Sequence, residues 1–310
     1  MSARHFTLTA VAPFRLDLTV WALRRRSDNL IDRWDCETYR RVLAVDEAPV
    51  EVAVSQLRRG KTPRIEVAVH GARLTGKLQT AVTRNIERMF GLRIHLDDFY
   101  RFAAGEPKLG AVVERFRGVK PPRFPSVFEA LINAIACQQV TLTLGLQLLN
   151  KVARRYGLSL ARGENQAYCF PRPIELADAD AATLRRFGFS GQKARAMIEL
   201  SRDVVAEKID LEALADLDDA AAVERLLTLH GVGRWSAEYA LLRGLGRTHV
   251  FPGDDVGARK RLQQRLKLRK SLDYHGVSRA LRAWREFGGL IYFHMLLDGL
   301  AEKRTIAEAG

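Results

Sequence analysis

Cysteine is scarce in this chain. Cys36, Cys137 and Cys169 are the only three among 310 residues, far apart and without CxxC spacing. An odd, sparse count argues against a disulfide framework and for a reducing compartment. It also excludes a four-cysteine iron–sulfur cluster or zinc site; no metal or cofactor is expected from the sequence as a whole. Long apolar runs are missing as well. No stretch reaches the roughly 20 apolar residues of a membrane span. The first residues hold no apolar core of signal-peptide length before Pro13 and Arg15 intervene. A cytoplasmic protein that engages no membrane is therefore expected. Internal repeats and low-complexity tracts are absent too.

What is abundant is positive charge: 50 Lys and Arg against 36 Asp and Glu, a formal net charge of +14. That excess points to a polyanion as partner. The length suits two or three packed domains. Alternation at Phe6, Leu8 and Ala10, at Val50, Val52 and Val54, and at Ile65, Val67 and Val69 predicts strands. The last two read as an antiparallel hairpin across the turn Arg59-Gly60-Lys61-Thr62-Pro63. Helical patterns cover Leu18 to Arg26 and Leu78 to Phe90. After Gly91 strand alternation disappears and helical periodicity dominates to the end. Ser126 with Glu129 reads as a capping box after a rigid proline connector, and helices are expected near 144–157, 180–187, 193–205 and 219–230. The predicted fold class is α+β: an N-terminal mixed α/β domain with an antiparallel sheet over 1–90, then a mainly helical body over 91–310. A monomer is expected.

Within that body, Val223, Leu226 and Leu227 give a helix an apolar stripe that stops at Gly231, and a second helix runs from about Arg234 to Arg243. Gly231 and Gly233 bracket the turn, where glycine tolerates positive φ and lets another backbone approach. The second helix starts with free N–H groups and the positive end of its dipole, a site for phosphate that reads no base. A simple glycine-capped connection would look similar. The flanking Arg234 and Ser236 and the basic chain favour a helix-hairpin-helix phosphate grip.

Pro252-Gly253 then leads to Asp254 and Asp255, ahead of a helix carrying Arg259, Lys260 and Arg261. One acid before a helix is an ordinary N-cap. Two acids beside a DNA backbone repel it, and a chemical role would explain that cost. A carboxylate can stabilise positive charge growing at the anomeric carbon of a nucleotide sugar, as in glycoside hydrolysis.

Leu229, Gly231, Val232, Gly233, Arg234, Trp235, Ala237 and Tyr239, then Leu242-Arg243-Gly244 and Pro252 to Asp255, resemble the helix-hairpin-helix DNA glycosylase superfamily. Within it the match is to the bacterial 3-methyladenine DNA glycosylase II (AlkA) type. In that family the essential aspartate lies twenty residues after the tryptophan, which from Trp235 is Asp255. The resemblance extends to Ala134 through Thr141 and to Phe187 through Ala194, and the α/β N-terminus fits by architecture alone. It implies a body of two helical subdomains with the active-site cleft between them and the hairpin at 219–244.

The resemblance implies base excision repair on double-stranded DNA containing damaged bases. The target nucleotide is flipped out, because its N-glycosidic bond is otherwise unreachable. Bifunctional members carry a lysine two residues after the second glycine; Trp235 stands there, which implies a monofunctional hydrolase that leaves an abasic site. Lys193 and Lys260 read as solvated charge. Asp255 is the expected catalytic residue and Asp254 the expected cap or scaffold. Trp235, Tyr239, Gln138 and Leu296 are the expected base pocket, an aromatic wall suited to 3-methyladenine-like alkylated purines. Gly231, Gly233, Ser236 and Gln139 are the expected DNA contacts. Gln139 stands where that type carries a leucine wedge, and Leu296 where it has a pocket tryptophan. His294, in the apolar run Leu290 to Leu297, reads as a core histidine. A cation on the hairpin carbonyls is compatible with the family, but no side-chain pattern marks it. The competing reading is a catalytically silent damaged-DNA-binding protein, which would have no reason to hold Asp255 at this spacing.

Overall fold

A computed structural model gives the architecture and describes residues 4–57, 62–162 and 165–303. The elements in chain order are β1 (Arg4–Thr9), α1 (Leu16–Arg24), β2 (Arg33–Trp34), β3 (Thr38–Val45), β4 (Ala48–Leu57), β5 (Arg64–His70), α2 (Gly76–Phe90), α3 (Asp97–Ala104), α4 (Gly110–Arg115), α5 (Val127–Cys137) and α6 (Leu142–Tyr156). They continue with β6 (Ser159–Arg162), β7 (Asn165–Tyr168), α7 (Pro173–Ala177), α8 (Ala181–Phe187), α9 (Gly191–Val205), α10 (Asp219–Leu227), α11 (Arg234–Ala240), α12 (Val256–Leu266), α13 (Tyr274–Ala280) and α14 (Gly288–Glu302).

The N-terminal sheet is antiparallel with order β1-β5-β4-β3-β2. Val52 faces Val69 and Val54 faces Val67, so the two alternating runs pair antiparallel as expected. Residues 58–61, most of the predicted turn between them, lie outside the described residues. The expectation that strands end after Gly91 is corrected: β6 and β7 form a second hairpin. It leans on the N-terminal sheet through a parallel bridge between Val42 and Cys169.

Three large apolar cores form among the described residues, beside a small cluster of Val42, Ala167 and Cys169. One lies under the N-terminal sheet and takes in Phe124, Ala130, Ala134 and Tyr239 from the helical body. A second fills the bundle of α5, α6, α8, α9 and α10. A third joins α3, α4, α12 and α14, with Leu18 and Ala22 of α1. α5 is shared between the first two, and its residues 127 to 136 are all buried. Ser126 caps it by accepting from the Glu129 amide at 3.1 Å. The Glu129 carboxylate does not close a capping box. It accepts instead from the Arg41 guanidinium on β3, which also donates to Asp32 at 2.8 Å. That buried pair bolts the sheet to the helical body.

Candidate active site

The hairpin forms as expected. α10 and α11 pack against each other, and Val232 turns inward to the core while Gly231 and Gly233 stay exposed. The two glycines differ physically. Gly231 has φ +78, and a Cβ there would stand 2.5 Å from Ala196 Cβ. Gly233 is extended, with open space where a side chain would point. Openness at the start of α11 is what a phosphate approaching the first-turn amides requires.

Gln138 follows α5 and bonds to this hairpin. Its Nε2 donates to Gly231 O and to Ser236 Oγ, each at 2.8 Å. These bonds bear on the places given to Ser236 and Gln138. Ser236 is 1% exposed and its hydroxyl accepts from Gln138. The Gln138 Nε2 is engaged with the hairpin. Gln139 is exposed and left-handed, φ +52, at the tip of the turn between α5 and α6. Lys193 is not solvated charge. It is half-buried and donates to Ala136 O and Gln138 O at the end of α5, and burial lowers its ammonium below the ordinary lysine range. Lys260 is exposed.

Trp235 and Tyr239, one turn apart on α11, stack with ring centroids 5.3 Å apart at 34°. Tyr239 is 3% exposed and Trp235 half-buried. Past Ala240 the helix loosens into a π-helical turn, Leu241–Leu245. There Arg243 is fully buried between the rings of Phe124 and Phe293, and donates to the Ala22 carbonyl at 2.8 Å.

Glu238 carries the chain from the hairpin to the acids. It is buried beside Tyr239, accepts from the Gly253 amide at 3.0 Å and from the Tyr274 hydroxyl at 2.6 Å, and burial raises its carboxyl. Arg234 stacks on Tyr274 with its guanidinium 3.8 Å from the ring centre and pairs with Asp254 at 2.7 Å. The Pro252-Gly253 turn is therefore clamped to α11 from both sides.

That clamp delivers Asp255. The helix cap is Asp255 itself, not Asp254. Its Oδ1 accepts from the Ala258 amide at 2.9 Å, at the start of α12. Its Oδ2 accepts from the Tyr292 hydroxyl of α14 at 3.0 Å. Burial, and then the Asp255 charge, hold the Tyr292 phenol well above the ordinary tyrosine range, so it remains a donor. Among the described residues each carboxylate oxygen has one donor, and the residue is only half-buried. Capping and chemistry are compatible in this geometry, because one oxygen is spent on each neighbour and each keeps a free lone pair.

Leu296 lies one turn after Tyr292, half-buried in the C-terminal core and not in the cluster that holds Trp235 and Tyr239. His294 is a core histidine: its Nδ1 bonds to Leu290 O, and burial lowers its imidazole to about 4. Sequence reasoning missed Glu238, Tyr274 and Tyr292. The i, i+4 spacing from Leu296 could have pointed to Tyr292.

The model of the "HhH-GPD superfamily base excision DNA repair protein" family matches residues 132–286, half of the chain. The Bacillus subtilis protein named "Putative DNA-3-methyladenine glycosylase YfjP" is 24% identical over 261 residues, 84% of this chain and 87% of that protein. "DNA-3-methyladenine glycosylase 2" of Escherichia coli is 32% identical over 144 residues, 46% of this chain and 50% of that protein. Among solved structures, the 3-methyladenine DNA-glycosylase from Archaeoglobus fulgidus superposes with a TM-score of 0.82 at 25% identity, covering 95% of this chain and 98% of that one.

Proposed function

The chain belongs to the HhH-GPD superfamily of base excision DNA repair proteins, and from that premise we propose that it is a monofunctional DNA-3-methyladenine glycosylase. It binds duplex DNA at the exposed hairpin glycines, takes the damaged purine out of the stack, and hydrolyses its N-glycosidic bond with water. Gln139, left-handed and exposed at a turn tip, stands beside the vacated stack. Trp235 and Tyr239 form the wall against which the flipped base lies. Leu296 makes the opposite wall aliphatic. Asp255 stabilises the oxocarbenium-like sugar and places the water.

The observation that carries this reading is the placement of Asp255. A turn pinned to the hairpin helix by Glu238 and Arg234 holds a half-exposed carboxylate whose two oxygens are oriented by Ala258 N and Tyr292 OH. An inert helix cap needs none of this apparatus beyond the Ala258 bond. Absence of lyase activity is supported by the residues as well. Trp235 occupies the lysine position, and Lys193 is tied to two carbonyls at the end of α5.

The test is base release from alkylated duplex DNA by wild type and Asp255→Asn, with DNA binding measured in parallel. Asn caps helices as well as Asp does, so the variant should fold and bind. Its excision should fall by about a hundredfold or more, the scale of losing a principal charge-stabilising group. Binding by both forms with release by neither would favour the silent damage-binding protein.

A further inference from the structure

Gln139 holds a backbone conformation that its residue type does not favour. It is exposed at the tip of the turn between α5 and α6, with φ +52. A residue with a side chain is strained in the left-handed region and stays there only where its surroundings hold it. Gln139 makes no hydrogen bond of its own among the described residues, so its neighbours supply the hold. They converge on Gln138. The Gln138 carbonyl lies in the rigid peptide plane that ends at the Gln139 nitrogen, and φ of Gln139 is the rotation about the next bond. Lys193 Nζ donates to that carbonyl oxygen, and to Ala136 O at 3.1 Å. Gln138 Nε2 donates in turn to Gly231 O and Ser236 Oγ, each at 2.8 Å. A chain of bonds therefore runs from α9 through the turn to the hairpin, and Gln139 sits beside its middle link.

Lys193 stands where local rules disfavour it. It lies in the first turn of α9, and Ser190 Oγ accepts from its amide at 3.3 Å. A cation is unfavourable at the positive end of a helix dipole. Half-burying an ammonium adds a desolvation cost unless its protons find acceptors. The acceptors it finds are carbonyls that the end of α5 leaves open. Capping α5 would need only the Ala136 bond. The Gln138 oxygen lies past the helix, and gripping it fixes the peptide plane that leads into Gln139.

We infer that Lys193 is a positioning residue: with Gln138 it locks Gln139 in the left-handed conformation that sends its side chain into the vacated stack. The inference rests on the reading that Gln139 enters that stack. The lysine itself touches neither sugar nor base. Because the same chain of bonds ends on the hairpin, the grip on a phosphate and the entry of Gln139 keep a fixed geometry. Losing the brace should spoil insertion without loosening the grip.

Three measurements separate insertion from grip. 2-Aminopurine opposite a tetrahydrofuran abasic analogue brightens when it leaves the stack, and the analogue cannot react. Affinity for undamaged duplex reports the phosphate grip. Single-turnover base release from alkylated duplex depends on both. Wild type should brighten the probe. Lys193→Met removes the donors and keeps the stem. It should lower the insertion equilibrium and the release rate by about tenfold, the scale of a strained backbone left unsupported. Affinity for undamaged duplex should stay within about threefold, because its phosphate contacts remain. Gln139→Asn keeps an amide on a residue that enters the left-handed region more readily. In that background Lys193→Met should cost about threefold or less. An unchanged signal in Lys193→Met, an equal loss in both backgrounds, or a parallel loss of affinity for undamaged duplex overturns the inference. So does a wild type that binds without brightening the probe. A wild type that brightens the probe and releases no base overturns the glycosylase reading alone. Should Lys193→Met not fold, Gln138→Leu frees the other end of the brace and should show the same pattern.

Discussion

At the scale of single residues, the question set by paired acids in a basic protein has a concrete answer. Asp254 is spent on Arg234, and Asp255 is divided between a helix and a tyrosine. Tyr292 orients the oxygen that the helix does not hold. Tyr292→Phe keeps the ring and removes that donor. A hydrogen bond to a charged group contributes roughly 1.5–3 kcal/mol, so excision should slow by about tenfold or more while the dissociation constant for DNA barely moves. An equal loss in both would show that the hydroxyl only supports folding. His294 offers a test of stability at the same scale. Burial lowers its imidazole to about 4, whereas an exposed histidine in the unfolded chain titrates near 6.5. Between those values the unfolded state binds the extra proton, so stability is full above about pH 6.5 and is lost as pH falls toward 4. The loss amounts to up to about 3 kcal/mol. His294→Leu should flatten that part of the urea-denaturation profile against pH, and an unaltered slope would place the titration elsewhere.

At the scale of elements, the hairpin separates two uses of glycine that the sequence writes with the same letter. Gly231 is required by the fold: its φ of +78 and its 2.5 Å approach to Ala196 leave no room for a methyl group. Gly233 is extended and open, so only an incoming ligand would object to a side chain there. Gly231→Ala should therefore lower the unfolding midpoint, by about 1–3 kcal/mol for the strained backbone and contact. Gly233→Ala should leave stability within about 0.5 kcal/mol and weaken DNA binding. Denaturation and binding titrations on the two variants would check this, and a destabilised Gly233→Ala would assign both glycines to folding. The hairpin itself was legible because its signals are local: an apolar stripe, a glycine stop, a second helix within fifteen residues. β4 and β5 were legible by their alternation. β3 was not, because Arg40 and Arg41 interrupt its apolar pattern and its turn to β4 is made by Asp46 and Glu47 in the left-handed region, not by glycine. The β6–β7 hairpin was hidden for a related reason, since its support comes from the N-terminal sheet and not from its own residues.

At the scale of the whole molecule, the excess of positive charge has two destinations, and only one of them concerns DNA. Arg25, Arg41 and Arg243 are buried, and Arg115, Arg261 and Arg265 gather around the buried carboxylate of Asp298. Composition cannot distinguish these from surface cations, which is why the sequence shows a basic protein but not where its charge lies. Arg41 shows the structural use most clearly. Its carboxylate partners are 9 and 88 residues away, and the more distant one, Glu129, joins β3 to α5. Arg41→Met would strand two buried acids and should cost about 3–5 kcal/mol of stability, read from the urea midpoint. A loss below 1 kcal/mol would mean the sheet and the helical body are held by apolar packing alone. The remaining cations set how binding responds to salt. Each phosphate neutralised by a cation lowers the slope of log K against log salt by about 0.9, so wild type should bind duplex DNA with a steep negative slope. The hairpin contributes differently, because a backbone amide grips a phosphate without neutralising it. Gly233→Ala should then shift the whole line to weaker binding and leave its slope unchanged, whereas Lys260→Ala, if that exposed lysine meets a phosphate, should reduce the slope by about one. Fluorescence anisotropy over a salt series separates the two, and a flat line for wild type would sink the DNA-binding reading altogether.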